Sequence, residues 1–176
     1  MEKITVISFL LFLSLTACQS GKTGSNQDQL KAEIQNLEAQ LLQGGGDVAK
    51  NQEAALQLVE KTFAYAETFP SDTLTPTLLF KAGEVARGAQ EYGKAVQLWG
   101  EVWRTYPNHR HAPMALFLQG FTFDTDLRDV DMAKKYYNQF LHSFPQDSLA
   151  GQVKQLLAVV EKSPEELVKE FEKKSN

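Results

Sequence analysis

The sequence predicts an all-α fold, a solenoid of about three to four helical hairpins. Aromatic-proline pairs recur at spacings of 37 and 38 residues, at Phe69-Pro70, Tyr106-Pro107 and Phe144-Pro145. The segments PTLLFKAG, from Pro76, and PMALFLQG, from Pro113, match at Pro, Leu, Phe and Gly in the same offsets. No run of alternating β-branched residues predicts a strand. A helical unit of about 37 residues therefore repeats along the chain.

The amino-terminal residues have the layout of a secretory signal peptide. Lys3 precedes an apolar run from Ile4 to Leu15, and the small residues Thr16 and Ala17 follow it. This order of charged, apolar and small residues is typical of secretory signals. A membrane-spanning helix needs roughly 20 apolar residues, so the run is too short to be one. We predict a signal peptide over residues 1–17.

Cys18 is the sole cysteine of the chain and follows Leu15-Thr16-Ala17. One cysteine cannot form an intramolecular disulfide. These four residues resemble the lipobox of bacterial lipoproteins, which implies that Cys18 is the lipidation site and anchors the protein to the membrane. With Gln19 after it, the resemblance implies the outer membrane of the cell envelope, with the domain in the periplasm; a cell-surface position stays open. The alternative is an ordinary signal peptide with a chance cysteine.

A tether and a degenerate first hairpin are predicted next. Residues 18–27 comprise the acylated cysteine and a polar segment rich in Gly and Ser, typical of a flexible tether. Residues 28–174 are predicted to form the repeat domain, starting with helices over 28–43 and 48–68. Leu30, Ile34, Leu37 and Leu41 form a short heptad seam. So short a helix is marginal alone, so we expect it to pack on the next helix rather than self-associate.

Each central unit is predicted to be a pair of helices. The first pair covers 76–88 and 94–105, and the second covers 113–122 and 132–143. Pro76 and Pro113 suit the first helical turn, where a missing amide donor costs nothing. Gly83 and Gly120 predict a close approach of the neighbouring helix. Segments 148–162 and 164–174 supply a last hairpin, whose polar second helix suits a terminal cap.

This unit resembles the tetratricopeptide repeat. Counted from Gly83, the family positions hold Tyr92, Ala95, Trp99 and Pro107; after Gly120 they hold Ala133, Tyr137 and Pro145, displaced by one residue because the turn is longer. Ala82 and Gln119 replace a usual large residue, and Ala86 replaces an aromatic one. With the lipobox, the chain resembles tetratricopeptide lipoproteins of outer-membrane assembly and of Tol-Pal coordination.

The resemblance implies a scaffold that binds a protein or peptide partner of the cell envelope. In the family, four positions of each first helix line a concave groove, and here they are Thr77, Phe80, Glu84, Arg87, Met114, Phe117, Phe121 and Asp124. Such a surface, partly aromatic, suits an amphipathic helix or an extended peptide. Members of the family that bind the carboxyl-terminal tails of chaperones hold the terminal carboxylate with Lys and Asn residues. The corresponding positions here lack these residues, which disfavours that class of ligand. Alternatively, the amino-terminal helix covers Phe80 and Phe117, which then belong to the core. The oligomeric state stays open.

Several other function classes are disfavoured. A net charge of −4 without a basic patch gives no indication of nucleic-acid binding. His109 and His111 lack further ligands nearby, so we expect no metal there. The turn at 123–131 lacks the Gly and Glu of a calcium loop, and we expect its aspartates to cap a helix and face solvent.

Catalytic motifs and a phosphate-binding loop are missing from the sequence. We therefore predict a protein that is not an enzyme and has no cofactor. The alternative is an envelope lipoprotein that uses the groove to bind or hydrolyse a small molecule.

Overall fold

The computed structural model describes residues 20–43, 45, 47–162 and 166, with side chains from residue 26 onward. Over these residues the chain forms seven α-helices and no strand, which confirms the predicted all-α fold. The helices are α1 (Ser20–Gln43), α2 (Gln52–Thr68), α3 (Thr75–Gly88), α4 (Tyr92–Thr105), α5 (Ala112–Thr125), α6 (Val130–Ser143) and α7 (Ala150–Val160).

Each helix packs mainly on the helix before it and the helix after it. The pairs α1–α2, α3–α4 and α5–α6 are hairpins, and α7 packs on α6. This nearest-neighbour packing is typical of a solenoid of repeated helical units. The predicted helical hairpin repeat is therefore confirmed.

The aromatic-proline pairs end helices, as predicted. Helices α2, α4 and α6 stop at Thr68, Thr105 and Ser143. The backbone N–H of the next residue still donates to the carbonyl four residues back, at 2.8 Å for Phe69, 3.0 Å for Tyr106 and 2.8 Å for Phe144. The proline that follows has no N–H to donate, so the hydrogen-bond ladder ends there.

The corner between hairpins is built in the same way three times. Two residues after each of these prolines, a side chain accepts a hydrogen bond from a backbone N–H two residues further on. The bonds join Asp72 Oδ1 to Leu74 N at 2.7 Å, His109 Nδ1 to His111 N at 3.3 Å, and Asp147 Oδ1 to Leu149 N at 2.9 Å. A side chain that bonds its own backbone in this way stabilises a turn.

Two glycines let paired helices approach closely, as predicted. A Cβ atom on Gly83 would lie 2.7 Å from Cδ1 of Trp99, and one on Gly120 would lie 3.0 Å from Cδ1 of Tyr137. Trp99 uses this space to donate from Nε1 to the carbonyl of Phe80, at 3.2 Å. The missing side chain thus admits a large buried aromatic ring, whose burial stabilises the hairpin.

Gln119 occupies a core position where the repeat family has a larger residue. It is only 3% exposed, yet its amide is satisfied. Its Oε1 accepts from Trp103 Nε1 at 2.7 Å, and its Nε2 donates to the carbonyl of Val96 at 2.8 Å. Because a buried polar group costs stability only when it is unpaired, Gln119 joins α5 to α4 without that penalty.

Helix α1 begins at Ser20, eight residues before the predicted start at Asp28. The residues expected to form a flexible tether therefore include its first two turns, and no proline separates them from the rest of the helix. Gln27 donates to Tyr65 Oη at 3.0 Å and also to Asp72. Helix α2, in contrast, begins at Gln52, later than the predicted Val48.

The heptad seam of α1 is buried inside the molecule except at Leu30, which is half-buried. Ile34, Leu37 and Leu41 are all buried, and the last two join the core cluster that contains Leu58 and Val59 of α2. This confirms the prediction that α1 packs on the next helix. Because these side chains are buried within the chain, they are not available to form a coiled coil with a second chain.

Some predictions fall outside the described residues. These are the signal peptide, Cys18, and the last helix except for Glu166. Among the helices described, none has the length and apolar content needed to cross a bilayer. Lipidation at Cys18 stays a prediction.

Candidate peptide-binding surface

Contacts between alternate helices form one surface of the molecule. Lys81 of α3 pairs with Glu38 of α1 at 3.1 Å. Arg87 of α3 pairs with Asp126, at the end of α5, at 2.6 Å. We name the surface formed by α1, α3 and α5 the odd-helix face. All eight predicted groove residues belong to α3 and α5.

The predicted residues of α5 divide into exposed and buried groups. Met114 is 37% exposed and Phe121 is half-buried, whereas Phe117 is only 7% exposed. The rings of Phe117 and Phe121 stack with their centroids 5.7 Å apart. The exposed apolar part of α5 therefore consists of Met114 and, two turns further on, part of Phe121, whose ring stacks on the buried Phe117.

Phe80 is likewise part of the packed interior. It is 7% exposed, and its ring stacks on His111 with centroids 4.4 Å apart and an interplanar angle of 9°. The corner before α5 thus supplies the ring that stacks on Phe80, and α1 contributes leucines to the same core cluster as Phe80. As a correction to the expected open aromatic groove, Phe80 and Phe117 serve as core residues, because neighbouring rings cover them. Thr77, one turn earlier, is half-buried.

Two of the charged groove residues are held by neighbours. Besides its ion pair with Asp126, Arg87 places its Cζ 5.4 Å from the centroid of the Phe121 ring. Asp124 Oδ2 accepts from Tyr137 Oη at 3.0 Å, and burial, together with this bond, raises the pKa of Tyr137. These contacts fix the far end of α5 against α3 and α6.

The aspartates of the long turn have different roles from those expected. Asp129 caps α6, since its Oδ1 accepts from Met132 N at 3.0 Å. Asp124 and Asp126 do not cap the helix; they bond to Tyr137 and Arg87 instead. The prediction that all of them cap and face solvent is wrong, because both side chains reach partners on other helices.

Glu84 lies at the centre of the odd-helix face. Its side chain is exposed, and among the described residues no cation makes a salt bridge with it. Partial burial among its neighbours raises the pKa of the Glu84 carboxyl, while the charge of Lys81 acts in the opposite direction. Glu84 is therefore an exposed carboxylate without a salt bridge among the described residues.

Two depressions meet at Glu84. One, of about 290 Å³, lies between α1 and α3 and is lined by apolar side chains including Leu42, Val48 and Val85. The other, of about 470 Å³, lies between α3 and α5 and is mainly polar, with Arg87 and Asp126 on its wall. The face therefore offers adjacent apolar and polar recesses to a bound chain.

The histidine pair serves the corner between hairpins. The rings of His109 and His111 lie 5.1 Å apart, and burial, with the nearby charge of Arg110, lowers the pKa of both. The described part of the chain contains no cluster of three or more His, Cys, Asp or Glu side chains that could hold a metal ion. That the protein needs no metal or cofactor stays a prediction.

Leu42 and Lys81 belong to this surface although the sequence did not indicate them. Leu42 is 76% exposed at the end of α1. Lys81 of α3 donates a hydrogen bond to Glu38 of α1. The apolar character of Leu42 is visible in the sequence, but its place beside α3 depends on how α1 docks.

Comparison with known proteins identifies the repeat. The family described as tetratricopeptide repeat matches residues 77–109 and 114–147. These two stretches cover most of the α3–α4 and α5–α6 hairpins. No curated protein matches the chain. These two hairpins thus match tetratricopeptide repeats, which suggest a scaffold for protein–protein interaction; proteins of this kind are generally not enzymes.

Proposed function

We propose that this chain is a lipid-anchored scaffold of the bacterial cell envelope. It binds a protein or peptide partner on the odd-helix face. The tetratricopeptide repeats support protein binding. The apolar run and the lipobox-like residues that end at Cys18 support export and anchoring at the outer membrane. The role that we propose for the scaffold and its partner is outer-membrane assembly or envelope maintenance.

The observation that carries the proposal is that Glu84 and Met114 stay exposed on a face whose other charged residues are mostly paired. Met114 and the half-buried Phe121 offer apolar contact, and methionine adapts to irregular partners. Exposed apolar groups beside polar ones are typical of interaction sites. An amphipathic helix or extended peptide would bury both kinds of group at once.

The anchor is tested by replacing the thiol. In Cys18→Ala the sulfur that would carry the lipid is lost, so we expect the protein to leave the membrane fraction and to incorporate no labelled fatty acid. Ser20→Ala, two residues away, is the matched control and should stay in the membrane fraction. Membrane association of Cys18→Ala equal to that of wild type would contradict the anchor.

Partner binding is tested by crosslinking in whole cells and co-purification. In Met114→Ser combined with Phe121→Ala the apolar part of the face is removed, and we expect capture of the partner to fall at least about tenfold. Asn138→Ala, an exposed change on α6, should leave capture intact. Unchanged capture by the double variant, with both proteins equally folded, would rule out this face as the binding site.

A further inference from the structure

The odd-helix face carries one carboxylate that the fold does not use. The cations near it are already paired: Lys81 with Glu38 at 3.1 Å and Arg87 with Asp126 at 2.6 Å. Glu84 is exposed between these two pairs. A cation brought by a partner would meet an acid that has no competing salt bridge among the described residues.

An apolar contact surface lies directly beside this acid. The depression between α1 and α3 is lined by Leu41, Leu42, Val48 and Val85, and Glu84 forms part of its wall. Leu42 is 76% exposed, so among the apolar residues of this depression it has the most surface left for a ligand to bury. A ligand that filled the depression with an apolar group would place the next part of its chain near Glu84.

The geometry points to a partner segment that combines a Lys or Arg side chain, received by Glu84, with a neighbouring apolar side chain that packs against Leu42. This inference rests on the proposed function and names the chemistry of the partner that the odd-helix face selects. Arg87 cannot attract an acidic partner in the same way, because Asp126 already neutralises it.

Charge also distinguishes the possible occupants. The chain has a net charge of −4, and a second copy would approach with the same unpaired carboxylate on its own face. An acidic peptide would bring a like charge to Glu84, which is unfavourable. A basic and apolar segment is the occupant that complements both the Glu84 carboxylate and the apolar depression.

Two pools of labelled peptides of about 12 residues test the inference. Both pools are random in Leu, Ala and Gln; one adds Lys and the other adds Glu. Fluorescence anisotropy against the full chain in detergent should show the Lys pool binding about fivefold more tightly than the Glu pool, the effect of roughly one surface ion pair. Glu84→Gln should remove this preference and Glu84→Lys should reverse it.

Two further variants separate the parts of the inference. Glu60→Gln removes an exposed carboxylate from α2 and should leave the preference unchanged. Leu42→Ser should weaken both pools about equally, since it removes apolar contact without changing charge.

The inference fails if wild type binds both pools equally well, or if neither pool binds; the cellular capture experiment judges the proposed function independently of either result. It also fails if the chain self-associates through Leu42, which would make a second copy the occupant. A preference for the Lys pool that persists in Glu84→Gln would assign the charge selection to another residue and overturn it too.

Discussion

Asp72 shows how one side chain joins several parts of the molecule. Its Oδ2 accepts from Tyr65 Oη at 2.8 Å and from Lys31 Nζ at 2.9 Å, while Oδ1 accepts from Leu74 N at 2.7 Å. The bond from Leu74 and the ammonium of Lys31 lower the pKa of Asp72 to about 2. The ionised carboxylate therefore holds α1, α2 and the first corner together.

Asp72→Asn should cost about 1 kcal/mol of unfolding free energy at neutral pH, because the amide keeps the turn but loses the charge. The folded-state pKa lies below the ordinary value of 3.8, so the contribution is present above that pH and is lost as the pH falls toward 2. Urea denaturation of both proteins at several pH values should show the difference shrinking across this range.

Asp147 supplies a matched control for Asp72. It makes the same bond to Leu149 N, at 2.9 Å, without a salt bridge in the described part of the chain. Asp147→Asn should therefore cost less than Asp72→Asn at neutral pH. A cost for Asp72→Asn that did not change with pH would contradict a role for its charge.

At the scale of the helix, the local signals predicted most of the repeat. Prolines fixed the beginnings of α3 and α5 to within one residue, since proline is compatible only with the first turn. The start of α1 was not predicted, because a polar segment rich in Gly and Ser is compatible with a tether until helix contacts such as those of Gln27 are known. Local sequence therefore determines helix ends better than it determines helix docking.

The predicted site shows the same limit. Helix position correctly placed Glu84 and Met114 at the surface. It left open whether Phe80 and Phe117 are exposed or belong to the core, because the ring that stacks on Phe80 comes from His111 in the next corner. Exposure depends on side chains contributed by a neighbouring element, which periodicity within one helix does not describe.

Close approach of α3 and α4 depends on Gly83. In Gly83→Ala the new methyl group would meet the Trp99 ring, which lies 2.7 Å from the Cβ position at Cδ1. We expect a loss of roughly 1 to 3 kcal/mol, typical of overpacking in a core. Urea denaturation monitored by Trp fluorescence measures it.

Gly151 of α7 provides the control for this helix contact. No neighbouring atom lies within 4 Å of its Cβ position. Gly151→Ala should thus leave stability unchanged or raise it by up to about 1 kcal/mol, through helix propensity alone. If the two alanine variants had the same stability, the close contact at Gly83 would not be important to the fold.

At the scale of the whole molecule, stacking of successive hairpins creates the surface on which function depends. Each helix contacts mainly its neighbours in sequence, so the odd-helix face is built up one repeat at a time. Ion pairs between alternate helices hold its parts in register, at Glu38 with Lys81 and at Arg87 with Asp126. Changes that disturb the stack should therefore also disturb partner binding.

Photo-crosslinking in living cells tests the central claim most directly, that the odd-helix face is where a partner binds. A photoreactive amino acid replaces Met114 on α5 or, as the control, Asn138 on α6; both positions are exposed. We predict a discrete protein adduct from position 114 that weakens in Glu84→Lys, and none from position 138. Equal adducts from both positions, or an adduct from position 138 alone, would contradict the account.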